Sequence, residues 1–125
     1  MANSTIEGAL FAFPMSLKAG ATIAANTLVK VNSSGLLVNA GAGDVPLGWV
    51  QDAGVSGDYL AVYEVGPISP LIAGGAITTG DYVKCGASGK VVVEATASTP
   101  TAFTIGQAFD TTAADGDPIH VISGR

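Results

Sequence analysis

The chain has 125 residues, a formal charge of −5 and one cysteine, Cys85. Ten carboxylates face five scattered basic side chains, so there is no basic stripe for phosphate contacts and neither a nucleic acid nor an anionic membrane is an expected partner. The 17 Gly and 6 Pro break every apolar run well short of the roughly 18 residues of a membrane span.

A chain of this length can bury about two thirds of its unfolded surface and folds without a metal or disulfide staple. The lone cysteine excludes an internal disulfide framework and suits synthesis in a reducing cytoplasm. Charged residues are only 12% of the chain, about half the usual share, which leaves a surface of Ser, Thr, Ala and Gly of the kind found where a protein covers something.

Residues 1–16 read as an N-terminal arm. Its apolar stretch "GALFAFPMSL" follows Glu7 and lacks a basic n-region, so it is expected to be mature sequence and not a secretory signal. Phe11, Phe13 and Met15 alternate along one face. Such an arm either packs back on the body or adds to another molecule as a strand.

The body, 17–125, reads as β throughout. "TLVKV" (27–31) and "DYVKC" (81–85) alternate with period two, and "SSG" and "ASG" then supply turn residues in which Gly35 and Gly89 can take positive φ. The returning strands are "LLVNA" (36–40) and "KVVVEA" (90–95). Loops follow, then "LGWVQDA" (47–53) and "IGQAFDT" (105–111), then Gly-Asp turns and the last strands "YLAVYEV" (59–65) and "PIHVIS" (118–123). No segment keeps a helical period over three turns with caps. Gly48 and Gly106, inside strand patterns, mark bends or bulges.

The order of these elements is itself repeated. Leu17, Ala19, Gly20, Ile23, Val29, Lys30, Ser34 and Gly35 recur 54 residues later as Leu71, Ala73, Gly74, Ile77, Val83, Lys84, Ser88 and Gly89. With a short insertion, Gly48, Asp52 and Gly57-Asp58 match Gly106, Asp110 and Gly116-Asp117. A single domain built from tandem units 17–70 and 71–125 is therefore expected, as an all-β small barrel or sandwich with an extended arm.

The repeat weighs the unusual residues. Cys85 stands where the first unit has Val31 and reads as a small buried hydrophobe. His120, the only histidine, stands where the first unit has Ala61 and reads as surface or interface. Asp110, Asp115 and Asp117 do not meet the calcium-loop spacing, and "CGASGKV" lacks the residues of a phosphate loop. No catalytic, metal or cofactor set is identified. Trp49 and Tyr63 face Gln107 and Ile122 in the other unit, so each fills an asymmetric core or anchors a partner. Phe11, Phe13, Met15 and Trp49 are the candidate contact residues.

The pattern A-G-x-x-I-x-x-G-D-x-V-K, complete in the second unit and carrying Asn26-Thr27 for Gly-Asp in the first, continues through "SG", "PLGWV" or "TIGQA", and "GD" before a valine-rich strand. It resembles the small capsid decoration, or cement, proteins of tailed bacteriophages from about residue 17 onward. The resemblance implies a β-barrel-like fold, no enzymatic activity, and a homo-oligomer, trimer before dimer. It also implies a place on the outside of the virion capsid, bound to the major capsid protein shell and stabilising it. The rival readings are a carbohydrate- or receptor-binding module of a phage fibre, with Trp49 or Tyr59 as a stacking platform, and an enzyme, for which no nucleophile-base pair stands out.

Overall fold

A computed structural model describes residues 14–123. Among the described residues ten strands run in chain order: β1 (Met15–Lys18), β2 (Thr27–Val31), β3 (Leu37–Asn39), β4 (Gly48–Val50), β5 (Tyr59–Tyr63), β6 (Ile68–Ile72), β7 (Tyr82–Cys85), β8 (Val91–Val93), β9 (Thr104–Ala108) and β10 (Pro118–Ile122). A 3-10 turn at Ala87–Gly89 joins β7 to β8. The protein is all-β, as its periodicity and punctuation predict.

The strands form two five-stranded sheets, ordered β1-β5-β4-β2-β3 and β6-β10-β9-β7-β8. The two orders are the same order. All strand pairs are antiparallel, and each sheet curls until its edges meet: Ala19, just past β1, bridges Leu37 at the start of β3 in parallel sense, and Ala73 bridges Val91 likewise. Gly20 N donates to Leu37 O at 2.8 Å and Gly74 N to Val91 O at 2.7 Å.

Each curled sheet encloses apolar side chains. The first holds Ala19, Ile23, Val29, Leu37, Val50, Leu60 and Val62. The second holds their positional equivalents Ala73, Ile77, Val83, Val91, Ala108, Ile119 and Val121, and its cluster extends to Leu28, Ala40 and Trp49 of the first sheet. β2 and β4 are thus buried on both faces, one toward their own core and one toward the second sheet, which explains the runs of consecutive buried residues at Thr27–Val29 and Gly48–Val50.

Turn chemistry explains the repeated Gly-Asp pairs. Gly57, Gly80 and Gly116 hold φ between 92° and 97°. The following aspartate then accepts a hydrogen bond from the backbone N–H three residues before it: Val55 to Asp58 at 2.9 Å, Thr78 to Asp81 at 2.9 Å, and Ala114 to Asp117 at 3.1 Å. In the first unit Asn26 takes the same left-handed position at φ 58°, where asparagine is tolerated.

Pairing places the junction between the sheets earlier than the sequence likeness does. β6 starts at Ile68 and pairs with β10, so residues 68–70 lie in the second sheet. Met15 and Ser16, assigned to the arm by sequence, pair with Val62 and Ala61 in the first. Neither β1 nor β6 is among the strands predicted, because both are edge strands with weak patterns, and β6 carries Pro70, a residue sheets accept at an edge.

Candidate partner-contact surface

Of the four contact residues expected from sequence, Phe11 and Phe13 lie outside the described residues. Met15 is half-buried in β1, opposite Val62. Trp49 is only 8% exposed. Its ring lies 5.3 Å from that of Tyr63, tilted by 33°, and its Nε1 donates to Glu64 O at 3.2 Å. This corrects its expected place at a partner surface: the second sheet packs over β4, so the indole is core.

The exposed apolar residues lie elsewhere. Val45 and Leu47, in the loop before β4, and Phe103, in the loop before β9, line a groove of about 270 Å³ between the two curled sheets, with Val65, Ile105 and Glu64 completing it. A second groove of about 300 Å³ shares Thr104, Ile105 and Ser123 with the first. Tyr82, Gln107 and Ile122 line it together with Pro100 and Thr101. Ile122 and its cross-strand partner Ile68 are both exposed. Sequence could not find this surface, because Val45 and Phe103 lie in loops outside any periodic pattern and Leu47 reads as the first residue of a strand.

Several titratable groups are engaged in local structure. Burial pushes the Cys85 thiol up to about 11, and the Asp44 carboxylate adds to this while Lys30 opposes it. Lys30 Nζ in turn pairs with Asp44 Oδ2 at 2.7 Å, and that hydrogen bond, with one from Gly41 N, holds Asp44 below the usual carboxylate range. Asp110 Oδ2 accepts from both the ring and the backbone N–H of His120, at 2.7 and 2.8 Å, which holds Asp110 low as well. Asp115 pairs with Lys90 at 2.8 Å and Asp117 caps its own turn, so the three aspartates of "DTTAADGDP" do not converge.

Glu94, which sequence reading passed over, is buried and accepts from the hydroxyls of Thr101 and Thr104 at 2.9 and 2.6 Å, tying down the loop between β8 and β9. Among the described residues no group of three or more His, Cys, Asp or Glu side chains is placed to hold a metal ion.

A family model described as phage cement protein matches residues 7–123. The chain belongs to that family. A cement-family chain is a structural protein of the phage virion. Its fold is similar to that in the crystal structure of head fiber gp8.5 N base in bacteriophage phi29, with a TM-score of 0.73 over 88% of this chain and 92% of that chain at 18% identity. No curated protein sequence matches it.

Proposed function

We propose that this virion protein decorates the outside of an assembled phage capsid and stabilises it. The observation that carries this reading is the groove lined by Val45, Leu47 and Phe103: three exposed apolar side chains gathered into one strip on a cement-family chain that is poor in charged residues. Seating that strip on the major capsid protein shell would remove apolar area from water at about 25 cal/mol per Å². By linkage, a ligand that binds only the assembled shell stabilises it by RT ln(1 + [L]/Kd) at each site. The protein has no enzymatic role in this scheme and no cofactor. A homo-oligomer, trimer before dimer, would bridge several shell subunits at once, and Phe11, Phe13 and Met15 would extend the contact to a neighbouring subunit or to the shell.

The test is sedimentation of the purified protein with undecorated, expanded capsids of its own phage. Saturable co-pelleting at a ratio set by capsid symmetry, with a raised temperature of shell disruption, is expected. Absence of binding, with recognition of a glycan by the isolated protein, would transfer the assignment to a fibre module. That second reading keeps exposed Tyr59 as a stacking platform but loses Trp49, which is buried.

A further inference from the structure

The two curled sheets contact one another through surfaces that are not equivalent. On the second sheet the contact is made by the β7–β8 turn and by β6, whose Pro70 O accepts from Asn26 Nδ2 at 3.1 Å. Gly89 N donates to Ala40 O at 2.7 Å, and Gly89 is buried against the backbone of Leu28. Cys85, just before this turn, is 1% exposed and feels both Lys30 and Asp44 of the first sheet. On the first sheet the receiving face is the row of cross-strand partners Leu28, Trp49 and Tyr63 on β2, β4 and β5.

The turn and the row of partners each have a counterpart elsewhere in the chain, and among the described residues both counterparts are uncovered. The β2–β3 turn of the first sheet corresponds to the β7–β8 turn. Gly35 there has φ 78° like Gly89 at 70°, yet no described residue lies within 4 Å of where its Cβ would be, and Val31, in the place of Cys85, is 43% exposed. The second sheet's row of partners Tyr82, Gln107 and Ile122 on β7, β9 and β10 corresponds to Leu28, Trp49 and Tyr63. That row lines the groove of about 300 Å³, and Ile122 is 38% exposed.

We propose that copies of this chain associate head to tail, the β2–β3 turn of one copy seating on the Tyr82, Gln107 and Ile122 face of the next. The contact between subunits then repeats the contact within each subunit. The occupant is a second copy because the matching element, a turn with an exposed valine and a left-handed glycine, is present and unpaired on this same chain.

The substitutions between the rows fit the two settings. Leu28 and Trp49 make a dry seam that forms with the fold, whereas Tyr82 and Gln107 make a more polar face, as surfaces that meet after folding are. Lys84 occupies the position that Lys30 holds beside the internal contact. The loop 95–103, longer than its counterpart in the first unit, supplies Pro100 and Thr101 to one wall, with Ala97 O accepting from Tyr82 N at 2.8 Å. A contact of this kind joins two different surfaces, so it closes into a ring or runs on as a fibre and does not give a two-fold pair. The inference rests on the fold and not on the capsid reading.

The test uses the full chain, Val31→Asp and Ile122→Asp, each alone and mixed in equal amounts, by native mass spectrometry and sedimentation velocity, with Trp49 emission confirming the fold. Both substituted side chains are exposed, so both variants are expected to fold. The wild type is expected to assemble beyond a dimer, and each variant alone to be monomeric. The mixture should give a one-to-one heterodimer and nothing larger, because Ile122→Asp keeps the turn while Val31→Asp keeps the face. A wild type that is monomeric or stops at a dimer overturns the proposal. So do variants that assemble like the wild type, or a mixture that stays as monomeric as its components.

Discussion

Gly89 sits so close to Leu28 that the Cβ of any other residue at 89 would fall on the Leu28 carbonyl oxygen. Two sheets with separate cores are locked at this point by backbone against backbone. The same residue type in the same left-handed conformation at Gly35 meets no described residue.

This pair yields a controlled comparison. Gly35→Ala carries only the conformational cost of a non-glycine residue at positive φ, about 1 to 2 kcal/mol. Gly89→Ala carries that cost and must also push the sheets apart, so it should lose at least about 2 kcal/mol more, within the range of overpacked sites. Urea unfolding of the two variants measures the difference. Equal losses would show that the sheets are not coupled through this turn.

Cys85 is buried between the sheets, and its thiol is raised from 9.0 to about 11 chiefly by loss of solvent. A group raised on folding stabilises the fold fully below its unfolded value, and that stability is lost as pH rises through the folded value. Stability should therefore decline between about pH 9 and 11 in the wild type and decline less in Cys85→Val, which restores the residue type of the first unit. Thiol labelling at neutral pH should proceed only as fast as the protein opens. Rapid labelling of the native chain would contradict the buried placement.

Much of this was legible in the sequence, for reasons that show where legibility ends. Ile23 with Ile77 and Val29 with Val83 keep a fixed spacing because each is an interior position of the same curled sheet, and Gly-Asp turns announce themselves because few residue pairs combine positive φ with a carboxylate cap. The burial of Trp49 was not readable. A large aromatic present in only one unit fills a seam between sheets or faces a partner equally well, and only the packing of β4 under the second sheet decides it. The exposed strip at Val45, Leu47 and Phe103 was invisible for a related reason: its residues come from two loops far apart in sequence, and only the fold brings them to one groove.

The Asp110–His120 pair predicts an acid-side effect. Asp110 is held below its usual value first by the His120 ring hydrogen bond and then by the His120 backbone N–H. A carboxylate lowered on folding contributes stability above its unfolded value, and the contribution disappears as pH falls through the folded value. Asp110→Asn should accordingly be less stable than the wild type at neutral pH, and the two should converge when pH drops below the ordinary carboxylate range. Thermal unfolding from pH 7 down to pH 2.5, on the order of one and a half units below the usual aspartate value, tests it. A gap that persists at the acid end would assign the effect to shape and not to charge.

Glu94 anchors the loop that forms one wall of the Tyr82 groove. Removing it in Glu94→Ala takes the carboxylate away from the buried Thr104 hydroxyl and from the exposed Thr101, a loss of about 1 to 3 kcal/mol for such a buried bond. Amide exchange should accelerate selectively across residues 95–103, while the first sheet keeps its protection. Uniform acceleration over both sheets would mean that the carboxylate supports the global fold and not the loop.

Trp49 and the exposed strip are separable by their opposite signatures. Because the indole is buried against Tyr63 and bonded to Glu64 O, Trp49→Ala should cost about 3 to 5 kcal/mol of stability, the range for emptying a large aromatic site. Any protein that remains folded should still bind shells with the wild-type affinity, since the ring contributes almost no surface. The double variant Val45→Ser with Phe103→Ser should behave in the opposite way. Its unfolding free energy should stay within about 0.5 kcal/mol per site, as for exposed positions, while co-sedimentation with undecorated capsids falls by at least tenfold. Measuring both quantities on both proteins distinguishes core from contact. If Trp49→Ala abolishes capsid binding in a protein whose unfolding curve is unchanged, the indole is a partner anchor after all; if the double variant binds normally, the groove is not where the shell is met.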